Sequence, residues 1–262
     1  MEMKDEYSAR LISNRKLNEE SSILTFFCPD IAVAAKPGQF VNISCSNLLK
    51  RPFGICSADP ESGLFSIGVR EVGEGTREIR EFLPDRRVDV LGPLGNTFPI
   101  DDADRLIFVG GGTGVYPLFF ALSQAVKRSI PAISVCGFRC VGDTCMIDEF
   151  RNCSDRFLVS TDNGDMGIHG NVLDALSGIS DSELNQSTII TVGPEIMMKN
   201  VAEWAFDRGL PCFVSLERRM ACGIGMCLVC TCKIKKVGSD DQFENKRCCA
   251  DGPVFDAREV LW

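Results

Sequence analysis

The sequence predicts a multi-domain β plus α/β chain: an antiparallel β-barrel, a parallel-sheet α/β unit, and a small cysteine-rich C-terminal domain. Three observations predict it. Residues up to about 100 fall into short alternating runs broken by turn signals. From Arg105, buried-strand runs alternate with helical stretches. Past about Pro211, cysteine and glycine crowd a segment too poor in apolar residues for a core of its own. A chain of 262 residues has room for two or three such units, with expected boundaries 1–100, 101–210 and 211–262.

In the first unit, Ile23–Phe27, Gln39–Ser44 and Leu64–Arg70 read as strands, separated by Pro37-Gly38 and Glu61-Ser62-Gly63. A helix is expected over Thr76–Phe82 with Thr76 as its cap, and Gly92-Pro93-Leu94-Gly95-Asn96 closes the unit. In the second, strands at Leu106–Val109, Ala132–Val135, Phe157–Ser160 and Thr188–Val192 alternate with helices over Val115–Arg128 and Glu195–Arg208. The uncharged stretch Leu106–Val126 is long enough to cross a bilayer, but its four glycines and its proline read as a strand, a glycine turn and a buried helix.

Charge narrows the function. Lys and Arg number 28 against 36 Asp and Glu, a net charge of −8, so neither a nucleic acid nor an anionic membrane is an expected partner. Fourteen cysteines in a long chain whose start, Met1–Glu6, lacks an apolar signal segment point to free thiols in a reducing cytoplasm rather than disulfides.

Cys222-Gly223-Ile224-Gly225-Met226-Cys227-Leu228-Val229-Cys230 has the spacing C-x4-C-x2-C, with Cys248 and Cys249 further on. That is the plant-type [2Fe–2S] spacing: four thiolates must converge on two neighbouring irons, so three come from one wrapped loop. Gly223 and Gly225 suit such a loop, since glycine reaches left-handed dihedrals. A structural zinc site competes, because Cys227-x2-Cys230 is a zinc-like pair. The remaining cysteines read mostly as small core residues.

Two motifs suggest a flavin. Arg51-Pro52-Phe53-Gly54 places an arginine on an extended segment, suited to a pyrophosphate. Gly73-Glu74-Gly75-Thr76 precedes the expected helix and offers a second phosphate seat. An Arg-Pro surface turn and a plain capped turn are the simpler explanations of each. Gly110-Gly111-Gly112-Thr113-Gly114 joins a buried strand to a helix, where backbone can approach a nucleotide pyrophosphate, and Gly193-Pro194-Glu195 lies at the same sheet edge. The lone His169 sits in a glycine-rich loop, and no Ser/His/Asp or Cys/His pairing can be argued. No catalytic side chain is expected, since bound cofactors carry hydride chemistry themselves.

In this order the motifs resemble the ferredoxin–NADP reductase superfamily over roughly residues 5–215. Over the whole chain they resemble the electron-transfer subunits of NAD-dependent, type B dihydroorotate dehydrogenase. The carrying residues are Arg51–Ile55, Gly73–Thr76, Gly92–Asn96, Gly110–Leu118, Val192–Met197, Ser215–Met220, the cysteine loop and Cys249-Ala250-Asp251-Gly252-Pro253-Val254-Phe255. The resemblance implies FAD contacts at Arg51, Pro52, Phe53, Gly54, Gly68, Val69, Arg70, Gly75 and Thr76. It implies NAD binding at Gly111, Gly112, Thr113 and Gly114, and a [2Fe–2S] cluster on Cys222, Cys227, Cys230 and Cys249. Spacing alone leaves Cys232, Cys248 and Cys249 open as the fourth ligand; the family motif selects Cys249.

The implied partner is an FMN-containing dihydroorotate dehydrogenase catalytic subunit, two of each in a heterotetramer. Electrons from dihydroorotate would pass through the cluster and FAD to NAD⁺ in pyrimidine biosynthesis. NAD is expected over NADP, because the second strand of the α/β unit is followed only by Arg139, with Asp143 nearby. Two departures stand out. The family's R-P-x-S carries Gly54 at its fourth position, so a hydroxyl contact is missing or moved to Cys56 or Ser57. The linker between the third and fourth cluster cysteines is long. The small subunit of a ferredoxin–NADP transhydrogenase or hydrogenase-linked complex, and a zinc-stapled nucleotide-binding regulator, are the competing readings.

Overall fold

The structure, a computed structural model, describes residues 5–236 and 242–262. Six antiparallel strands close a barrel in the order β1-β2-β5-β4-β3-β6: β1 Glu6–Lys16, β2 Ser21–Phe27, β3 Phe40–Ile43, β4 Arg51–Asp59, β5 Leu64–Arg70 and β6 Arg87–Leu94. Alternation fills its interior with Leu11, Leu24, Phe26, Val41, Ile43, Ile55, Phe65, Ile67 and Val90. Phe26 and Phe65, register partners on β2 and β5, stack with ring centroids 5.4 Å apart.

Helix α1 (Pro29–Ala34) buries Ile31 and Ala32 at one end. Helix α2 spans Glu74–Arg80, two residues ahead of the expected start. Its cap is Gly73, and Thr76 lies one turn inside the helix. The Thr76 hydroxyl accepts from the backbone N–H of Val72 (2.9 Å) and of Gly73 (3.1 Å), so it reaches back to close the turn instead of starting the helix.

The second unit is a seven-stranded sheet in the order β10-β9-β8-β7-β11-β12-β15. Its strands are β7 Arg105–Gly111, β8 Ala132–Phe138, β9 Arg156–Thr161, β10 Ile168–His169, β11 Ser187–Val192, β12 Cys212–Ser215 and β15 Val254–Asp256. All pair in parallel except β15, which runs antiparallel to β12. Helices α3 (Val115–Lys127), α4 (Ile147–Cys153), α5 (Val172–Leu176), α6 (Asp181–Leu184) and α7 (Glu195–Phe206) make up the helical layers. The stretch 106–126 is thus a buried strand, a turn and a helix, and among the described residues no helix is long and apolar enough to cross a membrane.

The sheet runs past residue 210 through β12 and β15. Between them β13 (Thr231–Lys235) and β14 (Phe243–Arg247) pair as a separate two-stranded sheet. The long linker between the third and fourth cysteines is this hairpin; its residues 237–241 lie outside the described residues. Cys230, Cys232, Cys248 and Cys249 are buried in one core cluster with Phe40 and Leu94 of the barrel.

Candidate functional site

The barrel motifs come together at the start of β4. Arg51 lies against Gly75: a Cβ there would fall 2.6 Å from the Arg51 Nε, so this position in α2 has no room for a side chain while the arginine is in place. The Arg51 guanidinium also donates to the Leu49 carbonyl at 2.6 Å. Val69 buries its side chain in the barrel and offers a ligand only its main chain. Arg70 lines the cleft beside Tyr116, pairing with Glu20 at 2.8 Å and approaching Asp143 at 3.8 Å.

Gly54 and Gly68 are covered by the first turn of α3. A Cβ at Gly54 would come within 2.8 Å of Pro117 Cβ, and one at Gly68 would overlap the Tyr116 ring. A serine at position 54 would therefore push against Pro117. Neither expected substitute takes over its hydroxyl: Ser57 Oγ is bonded to Ser66 Oγ at 2.6 Å, and the Cys56 thiol is buried against Met146 Sδ at 3.8 Å.

A cavity of about 380 Å³ opens at the carboxyl edge of the parallel sheet, where nucleotides bind in open α/β folds. Gly111, Gly112 and Thr113 form its floor, with Arg139, Asp143, Asp162 and Pro194 around it. Gly112 has φ +52° and open space beside it, leaving its main chain accessible. Both nearby arginines are committed to carboxylates: Arg139 pairs with Asp143 at 2.7 Å, and Arg70 with Glu20. An added phosphate would meet Asp143, Asp162 and Glu20 rather than a free cation. Burial pushes the Cys56 thiol up to about 12 and Cys145 up to about 11, so both stay protonated and neither is a nucleophile. His169, expected in a loop, instead ends β10, paired with Thr161 of β9, and is exposed.

The cysteine loop lies between β12 and β13. Gly223 (φ +72°) and Gly225 (φ +83°) adopt the left-handed conformations that wrap it. The Cys227 N–H donates to Cys222 Sγ at 3.4 Å. Burial acts to raise the Cys222 pKa, but N–H groups of Ile224, Cys227 and Met226 turned toward its sulfur outweigh burial and bring it down to about 6. Cys230 Sγ lies 3.2 Å from Cys249 Sγ. The Cys248 thiol instead neighbours that of Cys232, whose sulfur lies 3.6 Å from the Lys246 carbonyl. Among the described residues no three Cys, His, Asp or Glu side chains converge on a single-ion site. A loop pair, Cys222 and Cys227, and a buried pair, Cys230 and Cys249, suit two irons with two thiolates each better than one zinc.

Three side chains that local spacing could not flag mount this loop on the rest of the chain. Asn96 donates to the carbonyls of Asp251 (3.3 Å) and Val254 (2.8 Å) and accepts from the Val254 N–H (2.9 Å). A Cβ on Gly95 would fall 2.6 Å from Pro253, so the Gly92–Asn96 and Cys249–Phe255 motifs pack directly on each other. Arg247 forms a two-point pair with Asp251, both contacts 2.8 Å, and donates to the Gly225 carbonyl at 3.2 Å. Arg218 links the lead-in to the loop with Glu195 of α7 at 2.6 Å.

Comparison with known proteins adds to this geometry. The family described as the iron–sulfur cluster binding domain of dihydroorotate dehydrogenase B matches residues 217–261. Over 258 residues, 96% of each chain, the sequence is 37% identical to the dihydroorotate dehydrogenase B (NAD(+)) electron transfer subunit of Geobacillus thermodenitrificans. It is 34% identical to the subunit of that name from Caldanaerobacter subterraneus, over 99% of this chain and 100% of that one. Among solved structures, an NADH-dependent reduced ferredoxin–NADP oxidoreductase superposes with a TM-score of 0.84 at 32% identity, covering 99% of this chain and 92% of that one. The ferredoxin reductase of carbazole 1,9a-dioxygenase superposes at 0.68 with 18% identity, over 79% of this chain and 67% of that one, which shows the shared fold alone.

Proposed function

The chain belongs to the family of dihydroorotate dehydrogenase B (NAD(+)) electron-transfer subunits, and from that premise we propose that it carries electrons from a dihydroorotate-oxidising partner to NAD⁺. The observation that carries this reading is the pairing of Cys230 with Cys249 at 3.2 Å in a loop mounted on the barrel. It brings the most specific cysteine motif and the barrel motifs into one assembly.

In this reading Cys222, Cys227, Cys230 and Cys249 hold a [2Fe–2S] cluster. Arg51, Pro52, Phe53, Gly54, Gly68, Val69, Gly75 and Thr76 form the FAD seat, with Arg51 as the charge opposite the pyrophosphate. Arg70 contributes only through the rim it shares with Glu20. Gly111, Gly112, Thr113 and Gly114 cradle the dinucleotide. The bound groups supply the conversion between one-electron and hydride transfer. The chain's own residues do the rest: they hold the groups, orient the nicotinamide cofactor at the sheet edge, and keep the surrounding thiols neutral. NAD is preferred over NADP because Arg139 and Arg70 are already paired.

Around Cys227, Met226, Leu228 and Val229 are 71%, 61% and 53% exposed. We assign this apolar rim to the catalytic partner, an FMN-containing subunit, in a complex of two of each. None of the fourteen cysteines is in a disulfide, which suits a cytoplasmic setting. The likeness to the reduced ferredoxin–NADP oxidoreductase favours one second reading, with ferredoxin as the electron donor. Co-purification decides between them. The expected product is a yellow-brown complex that reduces NAD⁺ with dihydroorotate, at a kcat/KM at least tenfold above that for NADP⁺. Reduction driven by ferredoxin and not by dihydroorotate would overturn the reading.

A further inference from the structure

Strand β3 has two faces of different kind. Val41 and Ile43 point into the barrel core, while Phe40 and Asn42 point outward, toward the C-terminal region. The outward face is apolar around Asn42: Phe40 and Leu94 are both buried in the cluster that contains Cys230 and Cys249. Asn42 is only 1% exposed, and among the described residues its Oδ1 has no hydrogen-bond partner. Leaving a buried amide oxygen unpaired carries a penalty that an apolar side chain at this position would not.

The other end of the amide, the donor, is the one that faces the cysteine loop. The Asn42 Nδ2 lies directly over Gly223, where any side chain would overlap it, and Gly223 follows Cys222 in the loop. Across the ladder Asn42 pairs with Pro52, and Ile43 with Arg51, in the strand assigned to the flavin. One carboxamide thus stands between the flavin strand and the first cluster cysteine.

We propose that Asn42 is a positioning residue for the iron–sulfur site: its carboxamide N–H donates toward the sulfur shell at the Cys222–Gly223 segment, seats that segment on β3, and raises the reduction potential of the bound cluster. The inference rests on the reading that Cys222, Cys227, Cys230 and Cys249 hold a [2Fe–2S] cluster. Hydrogen bonds to cluster sulfur and local charge are among the levers that set such potentials.

Two substitutions in the full chain, purified anaerobically with its cofactors, test it. Asn42→Leu keeps the branched shape, in a somewhat larger side chain, and removes the donor. Asn42→Asp keeps the shape, removes the N–H and adds a negative charge. The readouts are the FAD to protein ratio, the midpoint potential from an EPR-monitored redox titration, and the rate of iron loss to a chelator. The expected result is unchanged FAD content, a lowered cluster potential in both variants with Asn42→Asp the lower, and iron loss several-fold faster. Should either variant fail to fold, the other and Asn42→Ser, a smaller donor expected to fall between wild type and Asn42→Leu, carry the measurement. Wild-type potential and EPR spectrum in the variants would overturn the proposal, even if iron loss were faster, since that pattern belongs to packing alone. A wild-type chain that binds FAD but lacks two irons and two acid-labile sulfides would overturn the cluster reading itself, and this inference with it.

Discussion

The barrel and the region that follows β12 are held together by different means. The barrel has a closed ladder and an apolar interior, with Leu24, Phe26, Ile55, Phe65 and Ile67 all fully buried. Its stability is spread over many contacts, each of which can be lost without undoing the rest. Among the described residues, 216–253 contain one hairpin and little apolar mass of their own. They are fastened by Asn96, by the Arg247–Asp251 pair and by sulfur, so their order depends on a few polar groups and on what the cysteines bind. A region of this second kind can be assembled or lost with its metal while the first stays folded.

The sharpest way to break that contrast is at the sulfur pairs. Cys249→Ser is expected to abolish the [2Fe–2S] signal and uncouple NAD⁺ reduction while FAD stays bound; Cys248→Ser is expected to keep the signal, because Cys248 faces Cys232. The reverse pattern would refute the ligand assignment. Next comes the thiol chemistry of metal-free chain. The folded-state pKa of Cys222 lies near 6, below the usual thiol value near 9, so its thiolate is present above pH 6 and lost as the pH falls through it. Alkylation of Cys222, followed by peptide mass, should be half-maximal near pH 6; a midpoint near 9 would remove the backbone N–H contribution.

Smaller effects probe the mounting. Asn96→Ala removes three hydrogen bonds and should destabilise residues 216–253 by about 2 kcal/mol. Hydrogen exchange should show faster opening there with the barrel strands unchanged; uniform loss of protection would show that the two regions unfold as one. Arg51→Ala should weaken FAD retention about tenfold, roughly 1.4 kcal/mol, by removing the charge-assisted contact proposed for the pyrophosphate. Full FAD occupancy in that variant would move the flavin seat elsewhere.

How much of this could be read in advance depends on how far apart the interacting residues lie in sequence. Strands β2, β3 and β5 showed themselves by short apolar runs bounded by turn residues, and they are buried along nearly their whole length. Strand β1 did not, because of its eleven residues only Ala9 and Leu11 are buried and the rest look like a loop. The three-cysteine loop was legible because its constraint is local. Spacing left the fourth sulfur open, since the hairpin separates it; the family motif pointed to Cys249, whose Sγ lies 3.2 Å from Cys230 Sγ. The glycine at position 54 looked like a lost hydroxyl contact. Its physical cause is Pro117, more than sixty residues away, pressed against it. Asn42 carries no signal in its own neighbourhood, and Asn96 showed only as part of a turn motif; their roles become visible only across β3 and β15.

The antiparallel pairing of β12 with β15 sets Ser215 opposite Val254, so the excursion of residues 216–253 leaves and re-enters the sheet at adjacent points. For protein engineering this makes the segment a cassette rather than a tail. Cutting the chain after β12 would strip away its partner and leave a bare strand edge, a template for aggregation. Replacing the excursion with a short turn from Ser215 to Val254 would keep the edge paired and yield a flavin reductase core without its metal centre. The same two anchor points would accept a different redox loop in its place.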